Sequence, residues 1–197
     1  MIEWFENIDH QIVLFINGLN TPVLDQIMWQ ISSRIIWIPF YILLLTIIYS
    51  KNGLKISLIF LFLVSILVFL TDFLSVHAFK DVFLRYRPSH NLILKGKLHL
   101  FLMPDGQIYS GGLYGFISSH AANFSALSSF FILVQSNLKR KWIYFIPVIL
   151  VGFSRIYLGV HYLSDVLVGY IFGAAMAICL HKFLFVPITR FSQKNSK

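Results

Sequence analysis

Apolar residues in this chain fall into long runs separated by brief polar punctuation, and the runs have the length of a bilayer crossing. Five of them cover about residues 27–49, 54–79, 117–135, 142–158 and 165–186, each near the roughly 20 residues an α-helix needs to span hydrocarbon. Ahead of them Ile2, Phe5, Ile8, Ile12, Phe15 and Leu19 recur at steps of three and four. That period predicts an amphipathic helix over residues 1–20, lying in the membrane interface or packed on the bundle. Glu3, Glu6 and Asp9 with no Lys or Arg among them set this start apart from a cleaved signal peptide, which begins basic. The pattern therefore predicts an all-α integral membrane protein, a six-helix bundle of one amphipathic and five transmembrane helices. No repeat or shift in composition divides it, so residues 1–197 read as one domain.

The links between runs are unequal. Residues 50–53 and 136–141 are short connections, whereas 88–116 is a long excursion punctuated by Met103-Pro104-Asp105-Gly106 and Gly111-Gly112. A loop of that length in a compact bundle is functional or disordered, and here it reads as a lid or entrance. Its Leu98, Leu100, Phe101, Leu102 and Met103 suit either contact with a lipid chain or anchoring in the interface. Counting crossings puts the N-terminus, this loop and the turn at 159–164 on one face, and the short links and C-terminus on the other. The second face holds Lys51, Lys55, Lys139, Arg140, Lys141, Lys182, Arg190, Lys194 and Lys197, nine of the sixteen basic residues and none of the eight acidic ones. By the positive-inside rule that face is cytoplasmic, which puts the long loop on the outer side, the periplasm if the membrane is a bacterial inner membrane.

Composition agrees. The 197 residues are 57% apolar and 12% charged, with a mean hydropathy of +0.75; a soluble domain carries about twice that charged fraction. The net charge of +8 follows from the cytoplasmic collar and the clusters below, so it gives no reason to expect nucleic acid. Cys179, the one cysteine, excludes a disulfide framework and a cysteine metal site, and reads as a small buried apolar residue.

Three polar clusters interrupt the apolar runs, and the crossing count places all three on the outer face. The first closes the second span with Lys80, Arg85, Arg87 and Pro88. Lys80 and Arg87 are two helical turns apart and point the same way, as a pair of cations for an anion or as a basic collar at the membrane edge. Pro88 marks the helix exit, and Arg85, on another face, reads as collar alone. The second cluster, Ser118-Ser119-His120, opens the third span, where free amides and the helix dipole favour an anion. One of these serines could equally be a plain N-cap, but His120 beside them can donate a proton to a leaving group.

The third cluster is Arg155, His161 and Asp165 between the last two runs. Titratable groups at membrane depth are costly and mark function. Asp165, four residues on, can hold the His161 ring by its Nδ1 proton, which makes a base or a nucleophile. Two histidines and an aspartate could also ligate zinc, yet the three neighbouring cations favour a multiply charged anion, so phosphate without a metal fits better. Asp72 and His77 read as contacts within the bundle, and His90, His99 and His181 as surface.

At these residues the chain resembles the type 2 phosphatidic acid phosphatase superfamily, which includes the vanadium haloperoxidases. The family pattern is Lys, six residues, Arg-Pro; then Pro-Ser-Gly-His; then Ser-Arg, five residues, His, three residues, Asp. Lys80, Arg87 and Pro88 match the first part, and Ser154, Arg155, His161 and Asp165 match the third. The second is half kept, as Ile117-Ser118-Ser119-His120, with Ile for proline and Ser119 for glycine. The matched stretch from Lys80 to Asp165 covers a little under half the chain, and the six-helix outline is that of the family's membrane members.

The resemblance implies a metal-independent lipid phosphatase with no cofactor. His161 would be the nucleophile and form a phosphohistidine, Asp165 would fix its tautomer, and His120 would be acid and then base. Lys80, Arg87, Ser118, Ser119 and Arg155 would bind the phosphoryl oxygens. The substrates in keeping with it are undecaprenyl diphosphate, a lipid A phosphate, phosphatidylglycerophosphate and phosphatidic acid, the first two favoured because they present phosphate on the outer leaflet. Two other functions compete. Vanadate-dependent halide oxidation uses the same residues but belongs to soluble proteins, and a lipid or phosphate carrier would show related halves or helices broken at mid-membrane.

Overall fold

The computed structural model describes residues 2–194. Met1 and residues 195–197, hence Lys197 of the expected cytoplasmic collar, lie outside the described residues, as do the side chains of Ile2, Glu3, Ser192, Gln193 and Lys194. Helix α1 is Ile2–Asn17 and α2 is Pro22–Ser32. The Thr21 hydroxyl accepts the Leu24 amide at 3.2 Å to start α2, and Pro22 occupies its first turn, where a missing N–H costs nothing.

The expected first span at 27–49 is not continuous: the chain breaks at Ser33-Arg34, makes a 3-10 turn at Ile35–Trp37, and restarts as α3 (Ile38–Leu74). Pro39 explains the break, because it cannot donate to the Ile35 carbonyl as a helix running through from α2 would require. Helix α3 in turn carries two crossings. Gly53, at φ +77°, takes a conformation that side chains resist and folds the second half back, so that Leu44 and Ile48 pack with Phe60 and Leu63.

A π turn at Ser75–Lys80 leads to α4 (Asp81–Phe83), which Leu84 ends by adopting a left-handed conformation at φ +48°. Then come α5 (Ser119–Val134), α6 (Ile146–Tyr157) and α7 (Leu163–Leu180), the last continuing through a π turn into α8 (Val186–Lys194). The apolar segments Ile35–Phe83 and Leu163–Phe191 are long enough to cross a bilayer. The six-helix plan therefore holds, with α2 added, and the described residues contain isolated β-bridges in the loop but no strand.

Helix α5 is the hub and packs most closely on α7. A Cβ on Gly173 would lie 2.1 Å from the Ala122 carbonyl oxygen, and one on Gly169 would lie 2.9 Å from that of Ser118. Only small residues let the two backbones approach so far, the usual device where lipid removes the hydrophobic drive for association. The approach brings both helix N-termini to the same place, and the Ser118 amide donates to the Asp165 carbonyl at 3.0 Å. At the other end of the pair, Phe130 stacks on Phe60 at 5.5 Å and meets Phe185 edge-on at 5.8 Å.

Helix α1 packs by a different face from the apolar one. Asp9, Val13 and Asn17 point into the protein, while Phe5, Phe15 and Leu19 of the expected stripe remain exposed. The long loop is pinned rather than loose: Asn17 Nδ2 donates to the carbonyls of His99 and Tyr157, each at 2.7 Å, and buried Phe101 stacks on Trp29 at 4.7 Å. Phe101 thus anchors the loop. Cys179, expected to be buried, is exposed on α7.

Candidate active site

The three clusters meet at one end of the bundle. His161 lies in the turn between α6 and α7 and is almost wholly buried; its Nδ1 is 3.3 Å from Asp165 Oδ2, and Arg87 Nη1 is 2.9 Å from its Nε2. These partners assign the tautomer. A guanidinium can only donate, so Nε2 carries the lone pair and Nδ1 the hydrogen, which goes to the carboxylate. Burial, followed by the charges of Arg87, Arg155 and Lys80, holds the His161 pKa well below its usual range, so the ring is neutral. A neutral imidazole with its lone pair on Nε2 is the nucleophilic form.

Arg87 is pushed down to about 10 by burial and then by Arg155, and still carries its charge at neutral pH. Its Nε donates to the Tyr114 carbonyl and its Nη1 also to the Val160 carbonyl, both at 3.1 Å. Lys80 and Arg87 converge on the site, but not as neighbours on one helix face. The helix ends at Phe83, and Arg87 arrives from extended backbone while Lys80 Nζ donates to Ser119 Oγ at 2.7 Å. The Ser119 hydroxyl is shared with Ser75 at 2.5 Å. Ser118, also expected to bind phosphate, is engaged at the start of α5. Its hydroxyl caps α5 through the Ala121 amide and its own amide is bound to Asp165, which leaves the amides at the first turn, those of Ser119 and His120, as the anion seat.

His120 and Arg155 face a chamber of about 430 Å³ whose walls include Ser32, Arg34 and Tyr109. Arg155 is buried; Nη1 donates to Ser32, Nη2 donates to the Tyr109 hydroxyl at 2.7 Å, and Nε has no partner. A buried guanidinium with an unspent donor beside a chamber is suited to an anion. Tyr109, from the long loop, was not visible as a site residue in the sequence. His120 and Arg34 also line an apolar slot of about 430 Å³ formed by Tyr41, Leu44, Phe60 and Leu127. A third groove, of about 470 Å³, leaves Arg34 past Asp72, His77 and Asn123. His161 lines none of the three and sits behind Arg87.

Arg85 is no collar residue. Its Nη1 donates to Asp165 Oδ1 at 2.9 Å and its Nη2 to Asp9 Oδ2 at 2.8 Å. Burial opposes its charge, but Asp165 and Asp9 outweigh that and raise its pKa. Helical spacing concealed this role, since left-handed Leu84 turns Arg85 off the helix that would have carried it to the outside. Of the discounted polar residues, Asp72 accepts a 3.5 Å contact from Asn123, and exposed His77 pairs with Asp81 at 3.0 Å.

A model of the PAP2 superfamily matches residues 54–188. The chain is 31% identical over 181 residues to a lipid A 4'-phosphatase of Porphyromonas gingivalis, a match spanning 92% of this chain and 75% of that one. It is 30% identical over 178 residues to a lipid A 4'-phosphatase of Bacteroides thetaiotaomicron, spanning 88% and 75%. Its backbone resembles that of a transmembrane PAP2 type phosphatidylglycerolphosphate phosphatase from Bacillus subtilis, with a TM-score of 0.62 at 20% identity over 91% of this chain and 85% of that one. It also resembles Aquifex aeolicus LpxE, with a TM-score of 0.58 at 21% identity over 88% and 94%. At those identities the two structures speak to the fold alone. The matched segment contains every motif residue from Lys80 to Asp165 and excludes α1 and α2.

Proposed function

The chain belongs to the PAP2 superfamily and is a membrane lipid phosphatase, and we propose that it removes a phosphate from a lipid A-type glycolipid, on the periplasmic side of a bacterial inner membrane. The observation that carries this reading is the position of His120 where the polar chamber meets the apolar slot. A lipid phosphate with its phosphoryl group in the chamber and a chain in the slot has its ester oxygen beside His120, where a leaving group needs its acid.

The third groove supports a branched substrate. Arg34 lines all three spaces, so a leaving group there has room for both a chain and a polar body along Asp72 and Asn123. An acylated sugar has that shape and an unbranched prenyl diphosphate does not. The lipid A 4'-phosphatases among the relatives favour the same choice, and the basic collar at the opposite end supports the orientation.

In the reaction, the arriving phosphoryl oxygens draw the Arg87 guanidinium off Nε2 and expose the lone pair. His161 Nε2 attacks phosphorus, the P–O bond to the lipid breaks, and His120 gives its proton to the departing oxygen. Asp165 stabilises the ring charge that develops. His120 then takes a proton from water, whose oxygen attacks phosphorus as the P–N bond breaks, and inorganic phosphate leaves. Lys80, Arg87, Arg155 and the amides of Ser119 and His120 match the equatorial oxygens throughout, so these steps call for no metal.

The test is phosphate release by purified protein in detergent with chelator, from lipid A 4'-phosphate, undecaprenyl diphosphate, phosphatidylglycerophosphate and phosphatidic acid. Lipid A phosphate should react fastest, and His161→Ala should abolish release while remaining folded. Faster release from undecaprenyl diphosphate overturns the substrate, loss with chelator overturns the metal-free steps, and substantial activity in His161→Ala removes the nucleophile. Asp72→Asn should raise KM for the glycolipid about tenfold and leave phosphatidic acid unchanged, as expected when a hydrogen bond to a charged group is lost.

A further inference from the structure

Asp9 is a carboxylate on a helix whose opposite face is apolar and exposed, yet it is 95% buried, being 5% exposed. Its position is explained by what it touches. Asp9 Oδ1 accepts the Ser164 amide at 3.1 Å, and Oδ2 accepts Arg85 Nη2 at 2.8 Å and the Ser164 hydroxyl. The other arm of Arg85 reaches Asp165 Oδ1 at 2.9 Å and the Ser164 hydroxyl at 2.6 Å, and its guanidinium lies 4.2 Å over the Tyr162 ring. Asp165 Oδ2 is left to accept from His161 Nδ1 and from the Tyr162 amide, at 3.3 and 3.0 Å.

The network is closed. One guanidinium bridges two buried carboxylates, so neither can rotate without breaking a charge-assisted bond. Take away Arg85 and two buried anions face each other; take away Asp9 and Arg85 loses the partner of its second arm, keeping Asp165, the Ser164 hydroxyl and the Tyr162 ring on the first. Either way Oδ2 keeps the Tyr162 amide but loses the bridge that braces its carboxylate, and its hold on the Nδ1 hydrogen loosens. In the other tautomer Nε2 carries the hydrogen and cannot attack.

We propose that Asp9 and Arg85 are a positioning pair that sets the His161 tautomer through Asp165. This rests on His161 being the nucleophile. Neither residue belongs to the three motifs, and Asp9 lies outside the segment that matches the family. The pair makes α1 part of the reacting unit, with its apolar face toward lipid and its carboxylate toward the site.

The experiment compares full-length Asp9→Asn, Arg85→Gln and Arg85→Lys with the starting protein and with His161→Ala in detergent. It measures kcat and KM for phosphate release, and the ¹⁵N shifts of the His161 ring. Asp9→Asn and Arg85→Gln should lower kcat about 10- to 100-fold, the usual cost of losing a group behind a reacting one, with KM within about twofold. Arg85→Lys should recover part of the loss. The double variant should be no worse than Arg85→Gln alone, and the ring shifts should show the second tautomer. Unchanged kcat in a folded variant overturns the pair, as do additive losses, or a fall in kcat with the ring tautomer unchanged. Should Arg85→Gln not fold, Asp9→Asn and the ring shifts decide alone. An active His161→Ala sinks the nucleophile itself, an outcome distinct from an inactive His161→Ala beside fully active pair variants.

Discussion

The two ends of the α5–α7 pair are held by different forces. At the end where both helices start, Asp9, Arg85, Arg87, His161 and Asp165 are joined by directional bonds between 2.8 and 3.3 Å, across three separate stretches of chain. At the opposite end, Phe60, Phe130, Phe131 and Phe185 fill space around α5, with Phe131 against Tyr144 at 4.8 Å, and polar contacts such as Gln135 with Asn52 are few. Aromatic packing tolerates small shifts at little cost, whereas a tautomer is either set or lost. Geometry for chemistry is thus fixed at one end and cohesion is supplied at the other.

Four measurements break or sharpen that division. The largest effect belongs to His120→Ala, expected to lower kcat by about 10²- to 10⁴-fold with the melting temperature little moved. The loss should shrink for an aryl phosphate, whose oxygen leaves without a proton; an equal loss on both would deny His120 its role as acid. Next is Gly173→Ala, which forces α5 away from α7 and should affect both ends together. Stability should fall by about 1–3 kcal/mol, the range for overpacking, and activity should fall with it. A folded, fully active Gly173→Ala would show that the two ends do not communicate through this contact. Phe130→Ala comes third. Lipid replaces water around the unfolded helices, so mainly the cavity term is lost, about 1–3 kcal/mol in a denaturation assay, with kcat of the folded fraction unchanged.

The smallest is a pH effect. His161 is held below its usual value of 6.5 by burial and then by Arg87, so its protonation should not cut kcat/KM until the pH falls well under 6.5. Removing a neighbouring cation makes the ring easier to protonate, so Arg87→Gln should move the acid limb of its residual activity upward. A limb that stays put in that variant would mean another group sets it.

Much of the candidate site was legible in the sequence because its residues interrupt apolar runs, where charge is conspicuous, and because crossing parity gathers Lys80, Ser119, His120, Arg155 and His161 on one face. Asp165 and His161 are also four apart, a spacing that reports contact locally. Arg85 was not legible: its partner Asp9 is 76 residues away, and the left-handed Leu84 redirects it. The apolar stripe of α1 showed an amphipathic helix but not which face the protein uses, since in lipid the apolar face can turn outward. Pro39, and not hydropathy, decides where the first crossing starts. The roles of Ser118 and Tyr109 depend on the close approach of α5 to α7 and on the folding of the long loop, both tertiary facts.

The order of synthesis gives the buried Asp9 a further meaning. Asp9 leaves the ribosome 76 residues ahead of Arg85 and 155 ahead of Ser164. Helix α1 is therefore made well before the partners of its carboxylate, and the network closes only once Ser164 and Asp165 at the start of α7 have followed. On the proposed mechanism, a nascent chain halted before that last crossing lacks Asp165 behind both the His161 ring and the phosphate seat, and would be inert among the lipids that surround it.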